Sequence, residues 1–225
     1  MFLQVSTFVH QKNQEEAIME KVKTAIIYYS STGVNYQLSK WAAESAEEEG
    51  AEVRIRKAKE LAPAEAIEQN PAWKKNLEET SDVPEVTLDD LEWADAIIFS
   101  IPTRYGNVPA QMKQFMDSTG PLWQEGKLVN KVASGMTSAI NVHGGQEQTL
   151  LALYATLYHW GMIVVTPGYT DDSLYGAGGN PYGTSVAVDT EGNMKGDVKE
   201  AVFHQAKRTV DIASRVTGKE SLVHE

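Results

Sequence analysis

The chain has no cysteine. That absence removes any disulfide framework, any thiolate nucleophile and any thiolate metal site. Positive charge is also scarce: 20 Lys and Arg stand against 31 Asp and Glu, a net charge of -11. Nucleic acid is held by Lys/Arg neutralisation of its phosphates, so this balance, with no basic stripe, argues against such a partner. No segment approaches the roughly 20 consecutive apolar residues of a membrane span. Met1 to Val9 is mildly apolar, but Gln4, Ser6 and Thr7 interrupt it and no basic residue precedes it, so it does not read as a signal peptide. Residues 1–21 are expected to be a loose extension or an arm packed on a neighbouring subunit, and 219–225 a short tail. Motifs are missing too. There is no GxGxxG after the first strand, no GK[ST], no GxSxG elbow, and no HExxH spacing among the 5 histidines. A dinucleotide loop, a nucleoside-triphosphate loop, a serine hydrolase and a metal site all lose support, and the expectation is no metal and a cytoplasmic location.

What is present is an ordinary globular composition, 42% hydrophobic and 23% charged over 225 residues, enough for one domain spanning 22–218. From Val22 onward, strand-like and helix-like segments alternate, the pattern of a parallel sheet with helices on both faces. Strands are expected at Ala25 to Tyr29, Glu52 to Arg56, Asp95 to Ile101, Lys131 to Thr137 and Met162 to Thr166. Polar and apolar residues alternate through Val53 and Ile55, which suggests an edge with one solvated face, whereas the run through Ile97, Ile98 and Phe99 suggests a strand buried on both. Helices are expected from Tyr36 to Gly50, from Thr87 with a capping pair to Asp90, from Val108 to Ser118, from Gly145 to Trp160 with Leu150, Leu151, Tyr154, Leu157 and Tyr158 on one face, and from Val198 to Val216. Lys59 to Glu85 breaks the rhythm with Pro63, Pro71 and Pro84 and reads as a long surface excursion with a helical turn near Trp73.

A doubly wound sheet binds ligands beyond the carboxyl ends of its strands, at the switch point. That rule selects three loops. The first, Ser30-Ser31-Thr32-Gly33-Val34-Asn35, brings hydroxyls to a helix N-terminus, whose free amides favour an anion such as the terminal phosphate of a flavin mononucleotide. Taken alone it is equally an ordinary Ser/Thr N-cap. The second, Pro102-Thr103-Arg104-Tyr105-Gly106-Asn107, mixes a cation, an aromatic face and an amide, as a flat heteroaromatic ring requires. The third, Ser138-Ala139-Ile140-Asn141-Val142-His143-Gly144-Gly145, has glycines that permit close backbone approach.

The stretches Pro102 to Asn107, Asp117 to Trp123, Gly144 to Thr149, His159 to Met162 and Gly178 to Gly183 occur in an order and spacing that resembles the WrbA-like family, flavodoxin-like type IV NAD(P)H:quinone oxidoreductases. The resemblance covers nearly everything from Val22 to Gly218. It implies a flavodoxin-like, doubly wound, five-stranded parallel sheet, and FMN held at Ser30, Ser31, Thr32, Gly33, Val34 and Asn35 for the phosphate. For the ring and ribityl chain it implies Pro102, Thr103, Arg104, Tyr105, Gly106 and Asn107 with Ser138, Ala139, Asn141, His143 and Gly144. It further implies His159 as a flavin-proximal catalytic proton donor, Trp123 on the substrate face, NAD(P)H as donor, a quinone as acceptor in a ping-pong cycle, and a homotetramer whose sites are completed by neighbouring subunits. Thr32 stands where the family has a tyrosine, Pro121 where it has a glycine, and Ile140 to His143 where it has smaller residues. A one-electron flavodoxin-type carrier serving protein partners is the alternative reading.

Overall fold

Successive side chains of a strand point to opposite faces, and the apolar strands use both. The computed structural model describes residues 20–220; residues 1–19 of the expected extension at 1–21 and residues 221–225 of the expected tail lie outside the described residues. In β1 (Lys23–Tyr28) and β3 (Ala96–Pro102), Ala25, Ile27, Ile97, Phe99 and Ile101 enter one core. Ile26 and Ile98 enter the other. The first core is closed by α4 (Leu88–Trp93), α5 (Ala110–Asp117) and α7 (Gln146–His159), through Leu91, Met112, Leu150, Leu153 and Leu157. The second is closed by α1 (Val34–Glu48) and α9 (Lys199–Thr217), through Leu38, Ala42, Val202 and Ala206. Val210 and Ala213 of α9 extend it at one end.

With β2 (Glu52–Lys57), β4 (Val132–Ala139) and β5 (Ile163–Val164), the strands pair in parallel in the order β2-β1-β3-β4-β5. This is the doubly wound, flavodoxin-like order expected, with the switch point between β1 and β3. The fifth position differs in detail. Met162 to Thr166 is strand only at Ile163 and Val164, which pair with Val132 and Ala133. The rest of that position is β6 (Ser185–Ala187), which pairs with Thr137, Ser138 and Ala139. Residues between the two halves leave the sheet, form α8 (Ser173–Gly176) and return through the Gly178 to Gly183 motif. A Cβ at Gly183 would lie 2.0 Å from the Gly135 carbonyl oxygen of β4, so this part of the motif is a close crossing over the sheet.

Other expectations shift for identifiable reasons. The edge strand β2 does not leave one face open. Arg56 Nε donates to the buried Asp90 carboxylate at 2.9 Å, and Arg54 stacks on Trp93 at 3.8 Å, so the long arginine stems cover that face. Asp90 also accepts the Thr87 backbone N–H at 3.0 Å, completing the expected cap of α4. On α7, Leu151 and Tyr158 are exposed and Leu153 takes the core position. The excursion after β2 holds two helices, α2 (Ala64–Glu68) and α3 (Pro71–Glu79), and between α5 and β4 lies α6 (Gly120–Gln124). Glu220 N–H donates to Glu20 O at 3.1 Å and the Lys219 ammonium lies 2.8 Å from Asp95 Oδ2, so residues 219 and 220 are tied to the sheet.

Candidate functional site

The first loop turns under the sheet and enters α1 through Gly33, which caps the helix with φ 90° and no side-chain hydrogen bond. The hydroxyls of Ser30, Ser31 and Thr32 are therefore not used as an N-cap. The first helical bond runs from Gln37 N–H to Gly33 O at 2.9 Å, and the amides of Val34, Asn35 and Tyr36 meet no protein acceptor among the described residues. Free first-turn amides beside three hydroxyls form an anion cradle. Asn35 braces it from below. Its Nδ2 lies 3.3 Å from Ser100 Oγ of β3, and its Oδ1 accepts from the Ser138 hydroxyl of β4 at 2.7 Å.

The second loop is a two-residue hairpin turn. Arg104 and Asn107 exchange backbone hydrogen bonds of 2.9 and 3.0 Å, and Tyr105 and Gly106 have φ of 53° and 76°, the pairing of signs that a type I′ turn needs. A tyrosine held in the left-handed region is strained, and such strain gathers at functional sites. The turn leaves the Tyr105 ring fully exposed, at 102%. The second and third loops touch where Gly145 meets Gly106: with φ 87°, a Cβ on Gly145 would lie 2.7 Å from Gly106 Cα. Thr103 fastens the same joint, donating to Gly144 O at 3.2 Å and accepting from Gly106 N–H at 3.1 Å. Arg104 reaches back to the first loop, where its Nη2 donates to Ser31 Oγ at 3.0 Å.

Together the three loops enclose one cleft of about 610 Å³, within the usual range for a ligand site. Ser30, Ser31, Thr32, Val34, Asn35, Pro102, Thr103, Arg104, Tyr105, Ser138, Ala139, Asn141 and Gly144 all line it. Gly33, Gly106, Asn107 and His143 do not. Gly33 lies under the turn, Gly106 packs against Gly145, Asn107 is taken up in the hairpin, and His143 faces solvent while its backbone N–H donates to Asn141 Oδ1 at 3.0 Å. The free amides, the hydroxyls and the exposed aromatic ring are the donor set a phosphate monoester carrying a flat ring requires, so the residues fit FMN.

A family model described as NADPH-dependent FMN reductase matches residues 22–172. The chain belongs to this FMN reductase family. Among its relatives, the NAD(P)H dehydrogenase (quinone) of Deinococcus radiodurans is 49% identical, over 88% of this chain and 98% of the relative. A protein of the same name from Geotalea uraniireducens is 40% identical, over 87% of this chain and 99% of the relative. Among solved structures, the flavodoxin, WrbA-like protein from Agrobacterium tumefaciens has a TM-score of 0.60 at 22% identity, covering 87% of this chain and 99% of that one. That likeness concerns the fold.

The two residues expected to serve substrate chemistry, His159 and Trp123, do not line this cleft. Helix α7 starts at the cleft and runs 14 residues, about 20 Å, so His159 at its far end lies near the N-terminal ends of the strands, where Gly161 O accepts from Asn130 N–H just before β4. Trp123 is there as well: its Nε1–H donates to His159 O at 3.0 Å, and its side chain is 58% exposed. The structure brings these two together and separates them from the flavin loops. Five residues outside the three loops also enter the cleft. Asn70 and Trp73 arrive from the insertion after β2, and Val188, Asp189 and Thr190 from the turn after β6. That turn is built by Asp189, whose carboxylate accepts from Asn193 Nδ2 at 2.8 Å, from Asn193 N–H at 2.7 Å and from Glu191 N–H at 3.0 Å; these hydrogen bonds, that from the Asn193 side chain foremost, hold its carboxyl below the ordinary range. The sequence signals for these elements are the long excursion at 59–85 and the glycine-rich insertion from Asp171 to Asp189.

The insertion also supports the phosphate turn. Asn76, buried in α3, donates from Nδ2 to Ser30 O at 2.8 Å.

Proposed function

We propose that this chain is an FMN-dependent oxidoreductase that moves two electrons from NAD(P)H to a quinone. One observation carries the reading: unpartnered first-turn amides and three hydroxyls at the end of β1 open into the same cleft as the exposed Tyr105 ring. The names of relatives up to 49% identical support it. When bound, FMN would supply the two-electron redox chemistry between nicotinamide nucleotide and quinone. Ser30, Ser31, Thr32 and the amides of Val34 to Tyr36 hold the phosphate. Arg104 adds a charge-assisted hydrogen bond beside it. Thr103, Tyr105, Ser138 and the backbone from Ala139 to Gly144 orient the ring and exclude water from one of its faces. The two substrates take turns at the open face, which is the ping-pong order.

We further propose that the working form is a homotetramer, in which His159 and Trp123 serve the cleft of a neighbouring subunit. His159 then gives a proton to the quinone oxygen and Trp123 forms the substrate wall. This reading accounts for an apolar group left in water at the far end of α7, where Trp123, Val129 and Tyr158 are each more than half exposed. No helix among the described residues is long and apolar enough to cross a membrane. A carrier of single electrons has less support, because the cleft extends past the flavin loops to Asn70, Trp73 and Thr190.

The test is a visible spectrum of the purified protein, followed by NADH or NADPH without oxygen and then by menadione. Flavin bands that bleach with the nucleotide and return with the quinone are expected. Protein that is colourless and fails to bind added FMN, or that keeps its bands when either nucleotide is added, contradicts the reading.

A further inference from the structure

Trp73 stands on a wall of the cleft that the flavin loops do not need. It belongs to α3 and lines the cleft beside Asn70, Ser31 and Arg104. Its ring is fixed by a polar clamp. The indole Nε1–H donates to Glu60 Oε2 at 3.0 Å, and the backbone N–H of Trp73 donates to Asn70 Oδ1 at 3.1 Å. Glu60 is itself held on several sides: by the Tyr29 hydroxyl at 3.0 Å, by Gln111 Nε2 at 2.9 Å, and by the N–H groups of Leu61 and Ala62 at 2.8 and 2.9 Å. Burial opposes a charge on this carboxyl, yet the donors from Ala62, Gln111, Leu61 and Trp73 outweigh it and hold Glu60 below the ordinary carboxylate range. Burial, reinforced by that carboxylate, pushes the Tyr29 phenol up, so it remains a donor.

An indole whose one polar edge is tied away from the cleft leaves apolar faces for stacking. Next to it, the Arg104 guanidinium donates to neutral oxygens, Ser31 Oγ at 3.0 Å and Thr103 O at 3.1 Å. This wall therefore presents an aromatic side chain, an amide and a cation to the cleft. FMN has a single flat ring, which the second and third loops already accommodate. A nicotinamide dinucleotide has a second heteroaromatic base, separated from the first by two riboses and a pyrophosphate.

We propose that Trp73 is the stacking platform for the adenine ring of the nicotinamide dinucleotide, with Arg104 facing its pyrophosphate. The assignment rests on the reductase reading above. Stacking on an aromatic side chain is sequence-tolerant and its removal costs roughly tenfold in affinity.

The experiment compares Trp73→Ala and Trp73→Phe with the wild-type holoenzyme in two ways. Binding of ADP-ribose is measured by calorimetry, and the KM values of NADH and of reduced nicotinamide mononucleotide, which lacks adenosine, are measured with menadione. In Trp73→Ala the ADP-ribose Kd and the NADH KM are expected to rise roughly tenfold, while the KM of the mononucleotide and the FMN affinity stay within about twofold; Trp73→Phe restores most of the loss. An unchanged ADP-ribose Kd overturns the proposal, and so does an equal rise for dinucleotide and mononucleotide. If Trp73→Ala does not fold, Trp73→Leu against Trp73→Phe gives the same contrast. A wild-type protein that binds ADP-ribose through Trp73 but oxidises neither NADH nor NADPH would defeat the reductase reading and leave this one standing.

Discussion

At its N-terminal end, helix α7 meets the cleft: Gly145 touches Gly106 there, and Thr149 Oγ1 lies 2.7 Å from Thr103 Oγ1. At its C-terminal end, about 20 Å away by helix rise, it carries His159 beside the exposed Trp123. Both ends belong to motifs that sequence order places in one series, yet one chain cannot bring them to one place. The near end is built for rigidity, with loops interlocked at a separation no Cβ could share. The far end is apolar and open. Under the proposed function, the near end would hold the cofactor within a subunit, whereas the far end would act only against another copy.

The largest expected effect separates the two ends. His159→Ala should lower quinone turnover about 100-fold, the size of a lost proton donor, and leave the FMN Kd within about twofold. A parallel loss of FMN would show that the far end belongs to the cofactor site after all. Gly145→Val should do the opposite. A side chain at φ 87°, 2.7 Å from Gly106 Cα, costs on the order of 1–3 kcal/mol, and FMN affinity measured by fluorescence recovery should fall about tenfold or more.

Asn76→Ala sharpens the near end further. Losing the 2.8 Å bond to Ser30 O costs about 1 kcal/mol, so FMN should bind several-fold more weakly while riboflavin, which has no phosphate, binds as before. Equal weakening of both would mean that Asn76 only supports the insertion. The smallest effect is Glu60→Gln. Because the folded protein holds this carboxyl below its ordinary 4.5, it contributes stability above pH 4.5 that disappears as pH falls through the folded value. The Tm gap between wild type and Glu60→Gln should therefore be widest at neutral pH and shrink as pH falls below the ordinary 4.5.

Much of this arrangement is legible in the sequence because it rests on local signals. The two-faced strands β1 and β3 announce themselves through consecutive apolar residues, and the loops following them through hydroxyls, glycine and proline. What is not legible comes from tertiary placement. Leu151 and Leu153 are equally apolar, and only the roll of α7 on the sheet decides that Leu153 is buried. The fifth sheet position is shared by β5 and β6, which meet because both pair with β4. Trp73 and Asp189 reach the cleft because two insertions fold back over it, carried by contacts such as Trp73 with Glu60 and Asp189 with Asn193. No spacing in the chain encodes those returns. His159 illustrates the converse: its motif is clear in the sequence, and its distance from the cleft is visible only once α7 has a length and a direction.

The most direct measurement mixes two variants that fail at opposite ends of α7. Gly145→Val disables the cleft and His159→Ala disables the far end, so each homo-oligomer should be nearly inactive with NAD(P)H and menadione at an FMN concentration that saturates wild type and His159→Ala but not Gly145→Val. After unfolding and refolding together, mixed oligomers contain intact clefts facing intact histidines, and activity should return to about a quarter of wild type under random pairing. A mixture no more active than its components would contradict a site completed between subunits.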